Sequence, residues 1–460
     1  MDYIEIALQQ IQRQGGVDSD ILKDLIEGHA PARERMMGLY ERYRADVNGV
    51  PILTRQFDDP NKINNKLNND FFSDIIDTKV GYFAGKPVSY IIDKEQEGYK
   101  KLTETLDDFL KRNNAPDLDS ETAKMAAITG EGVRLLYIDR DGDERVTLAR
   151  PWESILLCES GMDAPLYAMR YYHVRREVKP GDWQDVIRVE WYDDEYITYY
   201  VQIRKDGDFR PDDYEQPNPV PHNFDYVPMV HFPNNEEMQG DCEKVLALID
   251  GYDKTISDVN SEIEQFRLAY MAFYGIEVDE EVLMLAKRTG AFNFPDTDGK
   301  MEFVTKMLDD DVVEHHLARL EDNIMRFSKS VNFADEKFAG TQTGVALRYK
   351  MLALESKCIT AERKFTAALR QMFKVLASAW AKRGVGMDYM DVDFQFTRNF
   401  PLNLNDEADT TSKLRGHVSE QTRLSLLSFV DDPAWELEQM QAEDAGAVDL
   451  DDFGGEGEEE

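Results

Sequence analysis

Val245–Tyr270 reads VLALIDGYDKTISDVNSEIEQFRLAY, with apolar residues at Val245, Ile249, Tyr252, Ile256, Val259, Ile263, Phe266 and Tyr270. The intervals alternate 4, 3, 4, 3, 4, 3, 4, the spacing that keeps one seam of an α-helix apolar over many turns. Further on, Val313, Leu317, Leu320, Ile324, Phe327 and Val331 repeat the pattern behind Asp309-Asp310-Asp311. Carboxylates there suit the positive amino-terminal end of a helix dipole. Between the two runs, residues 271–307 carry YGIEV, AFNFP and MEFVT as short strand candidates around a helix at 279–289. Two long heptad-spaced helices bracketing a small α/β tip predict an outstretched hairpin, whose first arm spans roughly 40 Å at 1.5 Å per residue. An antiparallel pair within one chain is the plainer reading. Seams that meet neighbouring copies in a ring are the sharper one, and spacing alone does not separate them.

Working outward, the first 50 residues look helical, with Ile21, Leu22, Leu25 and Ile26, a break at Pro31, then Met36, Met37, Leu39 and Tyr40. A Pro/Asn-rich stretch, Val50–Asn69, precedes a helix over Asp70–Phe83. Two more helices are expected at 99–113 and 119–129, the second capped by Ser120. From Gly132 the apolar period changes to two: GVRLLYID, ERVTLARP, SILLCE, PLYAMRYYHVRRE and DVIRVEWYDDEYITYYVQIRKDGDF predict an antiparallel meander. Prolines 211, 217, 219, 221 and 228 then mark a surface connection. Beyond the hairpin, residues 332–344 form a Gly-containing polar loop, and Val345–Arg383 reads as one long helix. That helix carries nine bases against Glu355 and Glu362, a local +7. It is either a solvated face balancing acidic neighbours or a contact with phosphate or acidic partner surfaces. MDYMDVDFQFTRNFP is a strand expected to rejoin the sheet, and small helices follow at 406–415, 417–429 and 433–442. Residues 436–460 hold 11 acids and no base, and this tail is expected to be disordered.

The chain has 460 residues, and 90 Asp+Glu against 53 Lys+Arg give a formal charge of −37. A chain longer than about 250–300 residues is expected to hold more than one domain. Its balance excludes a simple basic nucleic-acid binder, since phosphate affinity comes from Lys/Arg excess. Cys158, Cys242 and Cys358 are dispersed and suggest neither disulfides nor zinc. No signal peptide and no apolar run of membrane-spanning length is read.

Motifs for chemistry fail one by one. Gly81-Tyr-Phe-Ala-Gly85-Lys86-Pro87 superficially resembles a phosphate-binding loop, but only three residues separate its glycines, Pro87 replaces the Ser/Thr, and a helix precedes it. It reads better as a helix end with Gly85 in the left-handed conformation. His315 and His316 are adjacent, so on a helix they point about 100° apart and cannot share one ion. His231 and Cys242 have no partner pair, and no nucleophile motif occurs. The expectation is a non-enzyme with no catalytic residue, no metal and no cofactor.

Three segments resemble tailed-phage portal proteins of the SPP1 type. They are Asn64-Asn65-Lys66-Leu67-Asn68-Asn69-Asp70-Phe71-Phe72 running on to Tyr90, Val227-Pro228-Met229-Val230-His231-Phe232-Pro233-Asn234-Asn235-Glu236 leading to Val245–Tyr252, and Thr343-Gly344-Val345-Ala346-Leu347-Arg348. They come in the family's order over roughly three quarters of the chain. The resemblance implies an α+β portal fold: wing 1–240, stem helices 241–270 and 308–331, clip 271–307, tunnel loop 332–344, long wing helix with returning strand 345–400, crown 401–445 and acidic disordered tail 446–460. It implies a ring of about twelve subunits at one capsid vertex of the virion, assembled in the bacterial host cytoplasm, with no membrane association. By this likeness double-stranded DNA would pass through the ring, driven by the terminase large subunit. A head-tail adaptor and the major capsid and scaffolding proteins would be further partners. By the same likeness, Asn332, Phe333, Asp335, Glu336, Lys337, Phe338, Thr341 and Gln342 would face DNA, Arg348 and Lys350 could touch it, and Glu277, Lys287, Arg288, Phe292 and Phe294 would form the clip's partner contacts. The rival expectation is an acidic adaptor or DNA mimic that binds a basic partner.

Overall fold

The computed structural model describes residues 3–59, 62–93, 98–159, 164–179, 181–204, 207–266, 270–274, 279, 281, 284, 300–304, 310–332, 349, 351–399, 404–427, 429–430 and 432–451. The chain divides into two units, Met1–Val331 with Leu354–Thr397, and Asn332–Ala353 with Arg398–Glu460. Every pair of strands among the described residues is antiparallel. Helices segregated from antiparallel sheets make the class α+β.

The larger unit opens with helix α1 (Tyr3–Gln14) and helix α2 (Ser19–Tyr43), whose first amides are capped by the Asp18 carboxylate. The break expected at Pro31 does not occur, and α2 runs through it. An interior proline costs about 3 kcal/mol. Leu22 and Leu25 before it and Met36 and Leu39 after it are all buried, so packing on both sides holds the helix together. After the short helix α3 (Pro51–Thr54) comes α4 (Phe71–Phe83). Helix α4 ends on Ala84, whose amide still reaches the Val80 carbonyl. Gly85 is not among the glycines with positive φ, so the expected left-handed cap is absent.

Strand β1 (Ser89–Ile92) and helix α5 (Tyr99–Arg112) follow. Helix α6 (Ala115–Thr129) starts earlier than expected. Pro116 in its first turn pre-sets the helical φ, which makes Ser120 an interior residue rather than a cap.

The expected single meander is two sheets. Strands β2 (Glu131–Ile138) and β3 (Glu144–Ala149) form one hairpin. A 3₁₀ turn at Pro151–Glu153 then redirects the chain into β4 (Ser154–Leu157), β5 (Tyr167–Lys179), β6 (Asp182–Tyr192) and β7 (Tyr196–Gln202), with short strands β8 (Arg210–Pro211) and β9 (Val220–Pro221) on β7. Strand β10 (Met229–Pro233) returns to β2, pairing Phe232 with Gly132. Helices α1 and α2 cover the larger sheet through Ala7, Leu8, Ile11, Leu22 and Leu25 on Ile155, Met169, Val189 and Trp191. Val133, Leu135, Met229, Ala168 and Tyr192 join the two sheets.

Helix α7 (Leu246–Phe266), strands β11 (Tyr270–Tyr274) and β12 (Lys300–Val304), and helix α8 (Asp310–Ser328) form the hairpin region. Tyr270, the last heptad position read as helical, lies instead in β11 opposite Val304. MEFVT is largely strand, as expected; Tyr274 of YGIEV lies in β11, and the rest of YGIEV and AFNFP lie outside the described residues. The long helix α9 is described over Leu352–Lys382, and its expected start at Val345 lies outside the described residues. Strand β13 (Val392–Gln395) pairs with β1 in a sheet of its own rather than rejoining the main one. Aromatic packing explains this choice: Tyr90 and Phe394 pack on Phe373, and Phe396 packs on Phe83 and Phe365, so this two-stranded sheet lies on the long helix.

The smaller unit contains helices α10 (Leu404–Lys413), α11 (Glu420–Leu424) and α12 (Pro433–Asp451), with Leu424 buried. Helix α12 runs through residues 436–451 of the tail expected to be disordered; residues 452–460 lie outside the described residues.

Candidate functional site

The hairpin α7/α8 and its root are the described part of the molecule where the motifs of the sequence converge. Burial along the seam is uneven. At the root, Ile249 and Ile324 are 1% and 0% exposed, packed with Leu39, Phe72, Ile75, Ile76 and Ile128. Toward the tip, Val313 and Leu317 are half-buried and Ile263 is 53% exposed although the spacing is the same.

A second stripe on α7 is polar: Asp253, Ser257 and Ser261, all buried, recur every four residues. The Asn-rich segment before α4 runs antiparallel along it. The amides of Asn69, Leu67 and Asn65 donate to Asp253 Oδ1 (2.8 Å), Ser257 Oγ (2.9 Å) and Ser261 Oγ (3.0 Å). Two extended residues advance about 6.6 Å and four helical residues about 6.0 Å, so the strap and the helix stay in step. Arg55 extends the clamp by pairing with Asp258 (2.6 Å) and donating to the Asn65 carbonyl (2.8 Å). Burial raises the Asp253 carboxyl above its usual range, offset in part by the two donors of Asn69.

The root itself is ionic. Asp241, just ahead of α7, receives Lys79 of α4 at 2.8 Å and Lys357 of α9 at 3.1 Å, while Asn234 Nδ2 donates to its Oδ1 at 3.0 Å. Burial alone would raise Asp241, but the two ammoniums outweigh it and hold the carboxyl below its usual range. Burial in turn lowers Lys357, against the pull of Asp241.

Several described bases of the long helix are answered within the chain. Lys364 pairs with Glu236, Arg370 with Asp393, Lys382 with Asp225 and Arg383 with Glu144, and Lys374 stacks on Tyr226. For these residues the solvated, acid-balancing reading is the one observed.

Of the expected DNA-facing residues, Asn332 is described and half-buried. Phe333, Asp335, Glu336, Lys337, Phe338, Thr341, Gln342, Arg348 and Lys350 lie outside the described residues, as do Glu277, Lys287, Arg288, Phe292 and Phe294. His231 pairs with Glu131, and Cys242 is buried with its Sγ on the Phe72 carbonyl. His315 and His316 are exposed on α8. No cluster of three metal-ligating side chains occurs among the described residues, and no described helix is long and apolar enough to cross a membrane. Sequence reasoning missed the strap and the ionic root. The four-residue recurrence of Asp253, Ser257 and Ser261 was the available signal for the first; nothing in the spacing announced the second.

A family model described as "Phage portal protein, SPP1 Gp6-like" matches residues 22–449. The portal protein of Bacillus phage SPP1 is 25% identical over 462 residues, covering 95% of this chain and 89% of the relative. The portal protein of Clostridium phage phiCD119 is 24% identical over 431 residues, covering 89% and 93%. The chain is therefore a phage portal protein, and within that class it belongs to the SPP1 Gp6-like family.

Proposed function

We propose that about twelve copies form a ring at one capsid vertex, through which a separate terminase ATPase drives double-stranded DNA and from which the genome later leaves. The chain itself performs no catalysis in this reading. Residues 1–240 with the returning strand and long helix serve as wing, 241–270 and 308–331 as stem, 271–307 as clip, 332–344 as tunnel loop, and 401–445 as crown. The loop residues named above face DNA, and the clip contacts terminase and the head-tail adaptor; the wing and crown meet capsid and scaffolding proteins.

The observation that carries the reading is an apolar seam not wholly covered within the subunit, with the heptad residues Ile263 and Phe327 exposed on a braced hairpin. A monomer gains nothing from such a surface, whereas a neighbouring copy would cover it. The absence of a broad unpaired basic face on the described long helix also suits sliding, since each neutralised phosphate adds salt-dependent affinity. Native mass spectrometry tests the ring: the expected species is near twelve times the 53.0 kDa subunit. A persistent monomer or dimer under assembly conditions overturns it and returns the acidic-adaptor reading. Shortening residues 332–344 should leave the ring intact and block packaging.

A further inference from the structure

Two ammonium groups share one carboxylate at the root, and they are not equivalent. Lys79 Nζ meets Asp241 and Asn234. Lys357 Nζ meets Asp241 and also donates to the Ser328 carbonyl at 2.8 Å. Ser328 closes α8, where the last carbonyls lack intrahelical partners and carry the negative end of the dipole. One side chain of the long helix therefore ties the end of the returning helix to the residue just ahead of the outgoing one.

The socket around Asp241 leaves little room for adjustment. Its amide donates to the Ala127 carbonyl at 2.8 Å. A Cβ on Gly240 would stand 2.3 Å from the Ile128 oxygen, and one on Gly130, at φ +96°, would stand 2.0 Å from the Met238 oxygen. The backbone ahead of α7 is thus seated directly on the end of α6, and Lys357 transmits that fixed point to α8.

We propose that Lys357 is a positioning residue for DNA translocation, setting where α8 ends relative to the start of α7 and to the long helix, while Lys79, held by Asp241 and Asn234, makes no tie to the Ser328 carbonyl. Those described ends flank residues 333–348. The inference rests on the conduit reading above.

The shared carboxylate supplies a matched pair of variants. Lys357→Met leaves the pair Lys79–Asp241, and Lys79→Met leaves Lys357–Asp241. Each loses one buried ammonium and keeps one ion pair. Rings and unassembled subunits of both are compared with wild type by native mass spectrometry, amide exchange and packaged DNA per ring. For Lys357→Met, amides over residues 325–331 should exchange roughly ten-fold faster or more, the scale of one lost charged hydrogen bond, and packaging should fall by a similar factor. Lys79→Met should stay within about two-fold of wild type in both, because the tie to Ser328 remains. Equal effects of the two variants, or unchanged exchange in Lys357→Met, overturn the proposal. Wild-type rings that package nothing overturn the conduit reading instead, and the exchange comparison still decides whether Lys357 holds α8. Exchange on subunits also reads a variant that fails to form rings.

Discussion

The root and the tip of the α7/α8 hairpin are written in the same heptad code and have opposite surroundings. At the root the seam is buried against α2, α4 and α6 and is pinned by an ion cluster. Near the tip, Val313 is only half-buried and Ile263 is exposed. The comparison teaches that a heptad repeat specifies an apolar line along a helix but not what covers it. The same line serves as core where the chain folds back on it and as an open surface where it does not.

Substitutions can break the comparison at either end. The largest loss is expected for Asp241→Asn, which leaves two ammoniums buried with no carboxylate between them; removing one member of a buried ionic cluster costs about 3–5 kcal/mol, read as a fall in the urea midpoint at constant slope. Ile324→Ala follows at about 3 kcal/mol, from lost burial and the cavity left in a tightly packed root. Ser257→Ala removes the acceptor for the Leu67 amide and should cost about 1–2 kcal/mol, loosening residues 65–69 in amide exchange before the rest of the unit.

The two buried carboxylates beside α7 sharpen the comparison through opposite pH dependences. Asp241 is held below its usual range, so its contribution is present at neutral pH and is lost as pH falls through the lowered folded value. Asp253 is raised, so it opposes folding at neutral pH and that cost is relieved as pH falls through the raised value. Asp253→Asn keeps an acceptor for the Asn69 amide and supplies an amide group at Oδ2, which lacks a hydrogen-bond partner in the wild type. It should be at least as stable as wild type at pH 7 and should lose the gain on mild acidification, as followed by thermal unfolding between pH 4 and 7. The smallest effect on the subunit is expected for Ile263→Ala, within about 0.5 kcal/mol. Its effect should show in the ring, as a lowered fraction of large species at equal protein concentration.

Much of the fold was legible. The heptad runs placed α7 and α8, the period-two segments placed most of β2 to β7, and Asp70–Phe83 placed α4 to within one residue. The misplaced elements share a cause. Pro31 sits inside a helix, Tyr270 in a strand and Ser120 within a helix because neighbours distant in sequence, or a proline upstream, overrode the local signal. The single meander became two sheets because the turn at Pro151–Glu153 is too short to appear as a break in periodicity. The candidate site was half legible. The Asn-rich signature was seen as a resemblance, but its work as a strap depends on the near match between extended and helical rise.

The sequence by itself determined the helical hairpin, the alternation that makes sheets, the acidic balance and the family, because each is carried by residue order along one segment. Only the tertiary structure decided which length of the heptad seam is core, which bases of the long helix are already matched by acids, and that Lys79, Asp241 and Lys357 meet. Those outcomes depend on groups far apart in the chain being brought within about 3 Å, where burial and Coulomb attraction outweigh local preference.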